Sequence, residues 1–223
     1  MIARALIGAH RAVRDHPRVH QSLITLVNRS VGEKRVNSNI IDLTRPGDVV
    51  WDVGANIGVY TRLFLDRVGT GGHVVAVEPV PSNAAILRNL GPSERLTVVE
   101  GALASSDGEM PLVVSGKSGE TSSIGGGPDA LTVRVARGDT LIDEGVPRPQ
   151  IVKIDVEGFE GDVLDGMSRV LPAVRSVIIE VHFTAMARRG RPAEPLRLLR
   201  LLHDCGFGAR WVDPSHLVAT RER

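Results

Sequence analysis

The chain has 223 residues, 42% hydrophobic and 3% aromatic, with 27 Lys+Arg against 26 Asp+Glu. This length can bury a single core without disulfide or metal staples, and the near-neutral charge gives no general electrostatic case for nucleic-acid binding. The lone Cys205 excludes an internal disulfide and a thiolate-rich zinc site, which suits a reducing, cytoplasmic setting, and no run of about 18 apolar residues exists to span a membrane.

Residues 1–46 form a basic segment in which Arg4, Arg11, Arg14, Arg18, Arg29, Lys34, Arg35 and Arg45 face only Asp15, Glu33 and Asp42. The apolar start (Ile2, Leu6, Ile7) is interrupted by His10 and Arg11 too early for a signal-peptide core. The pattern predicts two helices, packed on the main domain or forming a homodimer contact, before a domain covering 47–223.

From Asp48 the rhythm changes. Val49–Val53, His73–Glu78, Leu96–Glu100, Ile151–Val156 and Val174–Val181 are short β-branched runs, with helical stretches near 57–68, 81–90 and 160–170. Continuous apolar strands spaced by crossover helices predict a doubly wound α/β domain with a mostly parallel sheet. Residues 101–149 carry alternating runs (Pro111–Val114, Leu131–Val135) around Ser115–Pro128, a Gly/Ser-rich stretch that reads as a long loop between hairpin strands. A helix near 194–204 precedes a terminal hairpin, Phe207–Val212 and His216–Ala219, turning through Asp213-Pro214-Ser215.

The chemistry gathers at the strand ends. The first strand runs into Asp52-Val53-Gly54-Ala55-Asn56-Ile57-Gly58, a tight turn into a helix that lets a ligand approach the backbone. Its spacing, D-x-G-x-x-x-G, is not the G-x-G-x-x-G dinucleotide fingerprint. Asp52 would repel a pyrophosphate but could pair with the ammonium of an amino-acid-like ligand. Glu78, followed by Pro79, lies 20 residues after Gly58, the offset of an acid that takes two ribose hydroxyls. A ribose acid beside an ammonium-binding turn describes S-adenosylmethionine. Further on, Lys153, Asp155 and Glu157 share parity in one run, and Glu180 and His182 in the next. Such charges pair or open onto a site, and in an open α/β sheet the strand ends converge beside the ligand. His182 is the first candidate base, Glu180 its orienting partner, and Asp155 and Glu157 candidates to hold acceptor hydroxyls. Asp155, Glu180 and His182 could equally ligate a divalent cation, Mg²⁺ or Mn²⁺ by the hardness of the oxygens.

The series VWDVGANIGVYT, VVAVEPVPSN, VKIDVEGFEGDVL and VIIEVHF resembles the FkbM family of S-adenosylmethionine-dependent methyltransferases, over about residues 47–183. The resemblance implies a class I, Rossmann-like methyltransferase fold and methylation of a hydroxyl on a small-molecule or oligosaccharide acceptor. It places Asp52, Gly54, Ala55, Asn56 and Gly58 in the cofactor loop, Glu78 with Pro79 at the ribose, and Asp155 and Glu157 beside the acceptor. The subgroup it suggests is the actinobacterial sugar O-methyltransferases of polysaccharide biosynthesis, mannosides among their acceptors. Polyketides and other secondary metabolites are the alternative acceptors. Two readings from other classes are a nucleotide-dependent oxidoreductase, which the missing fingerprint disfavours, and a cofactor-binding scaffold without turnover, which intact acid and base candidates disfavour.

Overall fold

The computed structural model of the protein describes residues 42–92, 94–115, 121–124 and 130–221. The helical segment expected over 1–46, and any homodimer contact through it, lies outside the described residues apart from 42–46.

Seven strands form the main sheet. In chain order they are β1 (Val49–Val53), β2 (His73–Glu78), β3 (Leu96–Glu100), β8 (Ile151–Ile154), β9 (Ser176–Glu180), β10 (Gly208–Trp211) and β11 (His216–Thr220). Their spatial order is β10-β11-β9-β8-β1-β2-β3. β1 lies between β2 and β8, parallel to both, and β9 continues the parallel set. β11 is inserted antiparallel between β9 and β10, so β10 runs in the same direction as β9. This is the doubly wound, mostly parallel class I arrangement with an antiparallel hairpin strand. Strands covered on both faces need apolar residues at every position, and Val50, Trp51, Val74, Val75, Ile151, Val152, Val177 and Ile178 are all buried.

The crossovers are α1 (Val59–Val68), α2 (Pro81–Leu87) and α4 (Glu160–Asp165). α4 is shorter than the sequence pattern suggests and gives way to a 3₁₀ turn, Leu171–Ala173. After β9 come α5 (Phe183–Arg188) and α6 (Glu194–Asp204), the latter burying Leu198 and Leu202. Among the described residues no helix is long and apolar enough to cross a membrane.

A second sheet, ordered β4-β7-β5-β6, holds β4 (Ala102–Leu103), β5 (Gly108–Ser115), β6 (Thr121–Ile124) and β7 (Leu131–Ala136), with α3 (Gly138–Asp143) following. The loop expected over Ser115–Pro128 is therefore partly a strand. Thr121–Ile124 pairs antiparallel with β5, setting Ile124 opposite Leu112, because a free strand edge captures a short segment through its unpaired backbone groups. Residues 116–120 and 125–129 lie outside the described residues.

Register determines which charges share a face. Asp52 sits opposite Lys153, Lys153 opposite Ile178, and Glu180 opposite His216. Since side chains alternate along each strand, Asp52, Lys153, Glu180 and His216 all project from the same face of the sheet.

Candidate active site

The turn from β1 to α1 depends on left-handed backbone at Gly54 (φ 80°), Asn56 (φ 51°) and Gly58 (φ 87°). At Gly54 a Cβ would fall 1.8 Å from the Asp155 carbonyl oxygen. Only glycine permits this contact between the turn and the end of β8. Glu78, at the end of β2, ties the turn in place. Its Oε2 accepts the Asn56 N–H (2.8 Å) and its Oε1 the Val80 N–H (2.9 Å). Asn83 Nδ2 adds bonds to Asn56 Oδ1 (3.2 Å) and Glu78 Oε1 (3.4 Å). Burial raises the pKa of Glu78 above the ordinary carboxylate value, with the two backbone bonds opposing it. Each oxygen of a carboxylate has two lone pairs, so these three bonds leave one acceptor position free, on Oε2.

Asp52 turns inward. Its carboxylate is fully buried, with Oδ2 accepting from Thr61 Oγ1 at 2.6 Å and Oδ1 3.5 Å from Lys153 Nζ. The cation beside it is thus Lys153, where the sequence suggested a ligand ammonium, because strand parity points Asp52 at the residue opposite it in β8. Oδ1 accepts no hydrogen bond. Lys153 also donates to Asp155 Oδ2 (3.1 Å) and lies over the Tyr60 ring, 4.6 Å from its centroid. Burial works against its charge, but Asp155 and Asp52 outweigh it and hold the ammonium well above its usual pKa. Lys153 is a structural cation, not a base.

β8 ends at Ile154, so the extended run that would align Lys153, Asp155 and Glu157 breaks there. Glu157 takes a left-handed conformation (φ 52°), followed by Gly158 (φ 95°). A non-glycine residue with positive φ is uncommon and strained. Arg189 secures the turn from α5: its guanidinium stacks 3.2 Å from the Phe159 ring centroid, donates to the Gly158 carbonyl and reaches Asp162 Oδ2 at 3.1 Å. Arg191 also pairs with Asp162 (3.0 Å). Both arginines therefore have internal partners.

His182 is the centre of this cluster. Its Nδ1 lies 2.7 Å from Glu160 Oε1, and its Nε2 is 3.6 Å from both Asp155 Oδ1 and Glu157 Oε2. Glu160 is completely buried at the start of α4, and its Oε1 also accepts the Gly158 N–H (3.1 Å). Burial alone would discharge His182; the Glu160 hydrogen bond and the charges of Glu157 and Asp155 outweigh it and raise its pKa to about 9. Glu157 is shifted upward mainly by burial, against the pull of His182. Contrary to the expectation from sequence, Glu180 does not orient His182, which bonds to Glu160. It pairs instead with His216 Nε2 (3.4 Å), whose Nδ1 is 2.8 Å from Asp213 Oδ2. The His216 hydrogen bond lowers the pKa of Glu180 despite its burial. Asp155, Glu180 and His182 can still each offer one ligand atom, all within 4.8 Å of one another.

Two residues of this site escaped the sequence reading. Glu160 carried a signal: it is the second acid of E-G-x-E, at the first position of a helix. His216 carried none beyond its place after a turn.

The strand order and the carboxylate-rich strand ends define a class I methyltransferase fold. A methyltransferase solved from Geobacter sulfurreducens is similar over 98% of this chain and 96% of its own, with a TM-score of 0.51 at 15% identity. The family model described as methyltransferase FkbM domain matches residues 52–208, and the chain belongs to that family. Its relatives include the hexuronic acid methyltransferase AglP of Haloferax volcanii, 34% identical over 159 residues, covering 68% of this chain and 63% of AglP. The 31-O-demethyl-FK506 methyltransferase FkbM of Streptomyces tacrolimicus is 32% identical over 174 residues, covering 62% of this chain and 66% of that protein. The chain thus spans a little under two thirds of either relative's length.

Proposed function

We propose that the protein is an S-adenosylmethionine-dependent O-methyltransferase acting on a saccharide hydroxyl. The observation that carries this reading is the His182 cluster, an imidazole among the carboxylates of Asp155, Glu157 and Glu160, with the Asp155 backbone carbonyl against the glycine turn. Kinship with a hexuronic acid methyltransferase supports a sugar acceptor. S-adenosylmethionine, when bound, supplies a methyl group on a sulfonium centre.

The residues at the turn fit that cofactor. Segment 52–60 contains no Lys or Arg to hold a pyrophosphate, and the buried Glu78 carboxylate keeps one lone pair, on Oε2, for a ribose hydroxyl. In this reading Gly54, Ala55, Asn56 and Gly58 bring backbone to the cofactor, and Glu78, next to Pro79, accepts a ribose hydroxyl through Oε2. Asp52 braces the turn from beneath through Thr61 and Lys153.

An alcohol is far too weak an acid to ionise unaided at neutral pH, so its proton must be taken as the oxygen attacks. Asp155 and Glu157 accept hydrogen bonds from acceptor hydroxyls and hold the reacting oxygen in place. Glu160 keeps the proton on Nδ1, so in the neutral form of His182, whose share grows as pH rises toward 9, Nε2 is the nitrogen that takes the acceptor's proton. A second form of the reading rests on the 4.8 Å grouping: Asp155, Glu180 and His182 would hold Mg²⁺ or Mn²⁺, which would supply Lewis acidity to the acceptor hydroxyl. Glu157 would then take the proton.

Transfer of labelled methyl to hexuronates and glycosides tests both forms. His182→Ala should lower turnover about 10²–10⁴-fold, while the affinity for S-adenosylhomocysteine by calorimetry stays near wild type. Loss of activity in chelator and recovery with Mg²⁺ would select the metal form. Full activity of His182→Ala in chelator would exclude both.

A further inference from the structure

The chain has seven aromatic residues, four Phe, two Trp and one Tyr. Trp51, Phe64, Phe159 and Phe207 are buried, and Tyr60 is half-buried beneath Lys153. The two left, Phe183 (44% exposed) and Trp211 (40% exposed), touch each other, with centroids 5.6 Å apart and planes 30° from parallel. A protein so poor in aromatics has little reason to bring its only two exposed rings together unless the surface they form is used.

Their position indicates the use. Phe183 directly follows His182 and opens α5. Trp211 is the last residue of β10, which runs in the same direction as β9. Both residues therefore stand at the carboxyl end of the sheet, the end at which Asp155, Glu157, Glu180 and His182 gather, with Trp211 opposite Leu217 and so on the face away from Glu180 and His216. The turn after Trp211 is held firmly: Asp213 Oδ1 accepts the N–H groups of Ser215 and His216, each at 2.8 Å, and Val212 N–H reaches the His216 carbonyl at 2.9 Å. The result is a fixed apolar platform beside a set of hydrogen-bond acceptors.

We infer that Phe183 and Trp211 form the subsite on which a pyranose ring of the acceptor stacks, presenting a hydroxyl to His182. The inference rests on the saccharide reading above and deepens it. A pyranose is amphipathic in the same way as this surface. Its axial C–H bonds make a weakly positive apolar face that suits the negative π-face of an aromatic ring, while its hydroxyls radiate outward as donors for carboxylates. A purely apolar acceptor would use the rings but offer no hydrogen-bond donor to the Asp155 and Glu157 carboxylates.

Tryptophan emission tests this in the full chain, because Trp51 is completely buried and acrylamide reports Trp211 alone. With S-adenosylhomocysteine present, the probes are D-glucuronic acid, methyl α-D-mannopyranoside, methyl β-D-glucopyranoside and, as an apolar control, cyclohexanol. The glycoside that accepts labelled methyl should protect Trp211 from acrylamide. Trp211→Ala should raise its KM about tenfold with kcat within about threefold, and Trp211→Phe should retain most of the affinity. Phe183→Ala should act on KM in the same direction, and calorimetric affinity for S-adenosylhomocysteine should not move in any of the three. If a glycoside is methylated but neither protects Trp211 nor loses affinity in these variants, the platform is refuted and the saccharide reading survives. If cyclohexanol is methylated and no glycoside is, both fall. Shielding of Trp211 in the ligand-free protein would also overturn the inference, since another part of the chain or a second copy would then cover the rings.

Discussion

Replacing Glu160 by glutamine keeps the side chain's shape and an oxygen that can accept the His182 Nδ1–H, but removes the charge. Raising the His182 pKa from its ordinary 6.5 to about 9 is worth about 3 kcal/mol in favour of the imidazolium. That figure is net of burial, which opposes the charge, so the attractive contribution is larger. Glu160 contributes at 2.7 Å, whereas Asp155 and Glu157 act across 3.6 Å. Removing the closest charge should therefore cost at least about 1 kcal/mol, and the His182 midpoint should fall by about one pH unit or more. The sign follows from the direction of the shift. A pKa raised on folding adds stability that is complete below about pH 6.5 and is lost as pH rises through 9. Urea melts of wild type and Glu160→Gln should differ most near pH 6 and converge above pH 9. The His182 ring-proton resonance, identified by its absence in His182→Ala, should titrate near 9 in the wild type and closer to neutral in the variant. If His182 is the base, the rising limb of the pH–rate profile should move down with it, an effect that a purely structural Glu160 would not produce. An unchanged midpoint by both NMR and rate would refute the assignment of Glu160 as the partner that sets the state of His182.

Two further substitutions test the cofactor side. Glu78→Ala removes the acceptor for two backbone amides as well as the proposed ribose contact, so affinity for S-adenosylhomocysteine should weaken by about 1.5–3 kcal/mol, read by calorimetry; unchanged affinity would take Glu78 out of the ribose role. Lys153→Met leaves the fully buried Asp52 without its cation, and unfolding by denaturant should show a loss of about 3–5 kcal/mol that Asp52→Asn in the same chain partly restores. A loss below about 1 kcal/mol would show that Asp52 does not depend on Lys153.

Much of the architecture was legible without coordinates because its causes are local. A run such as VVWDV or IVKI, apolar at nearly every position, suits only a strand covered on both faces. The Gly54–Gly58 turn was legible because few residues tolerate positive φ. The ordering of these segments, with Glu78 at its offset from Gly58, carried the class and its cofactor. The short β6 was not legible, since Thr-Ser-Ser-Ile has no strand signature until β5 offers it an edge to pair with.

The sequence by itself determined which charged residues come together: Asp155, Glu157, Glu180 and His182 do meet at one end of the sheet. Their pairing was decided only by the tertiary structure. His182 and Glu180 share parity two residues apart, which suggests a pair, but the chain turns into α5 directly after His182 and carries its ring to Glu160. The insertion of β11 beside β9 then gives Glu180 to His216, 36 residues further along the chain. Likewise Asp52 read as a ligand for an ammonium until β8, about a hundred residues away, placed Lys153 opposite it. Strand periodicity is written in neighbouring residues, whereas a buried charge takes as its partner whichever opposite charge the strand order brings within about 4 Å.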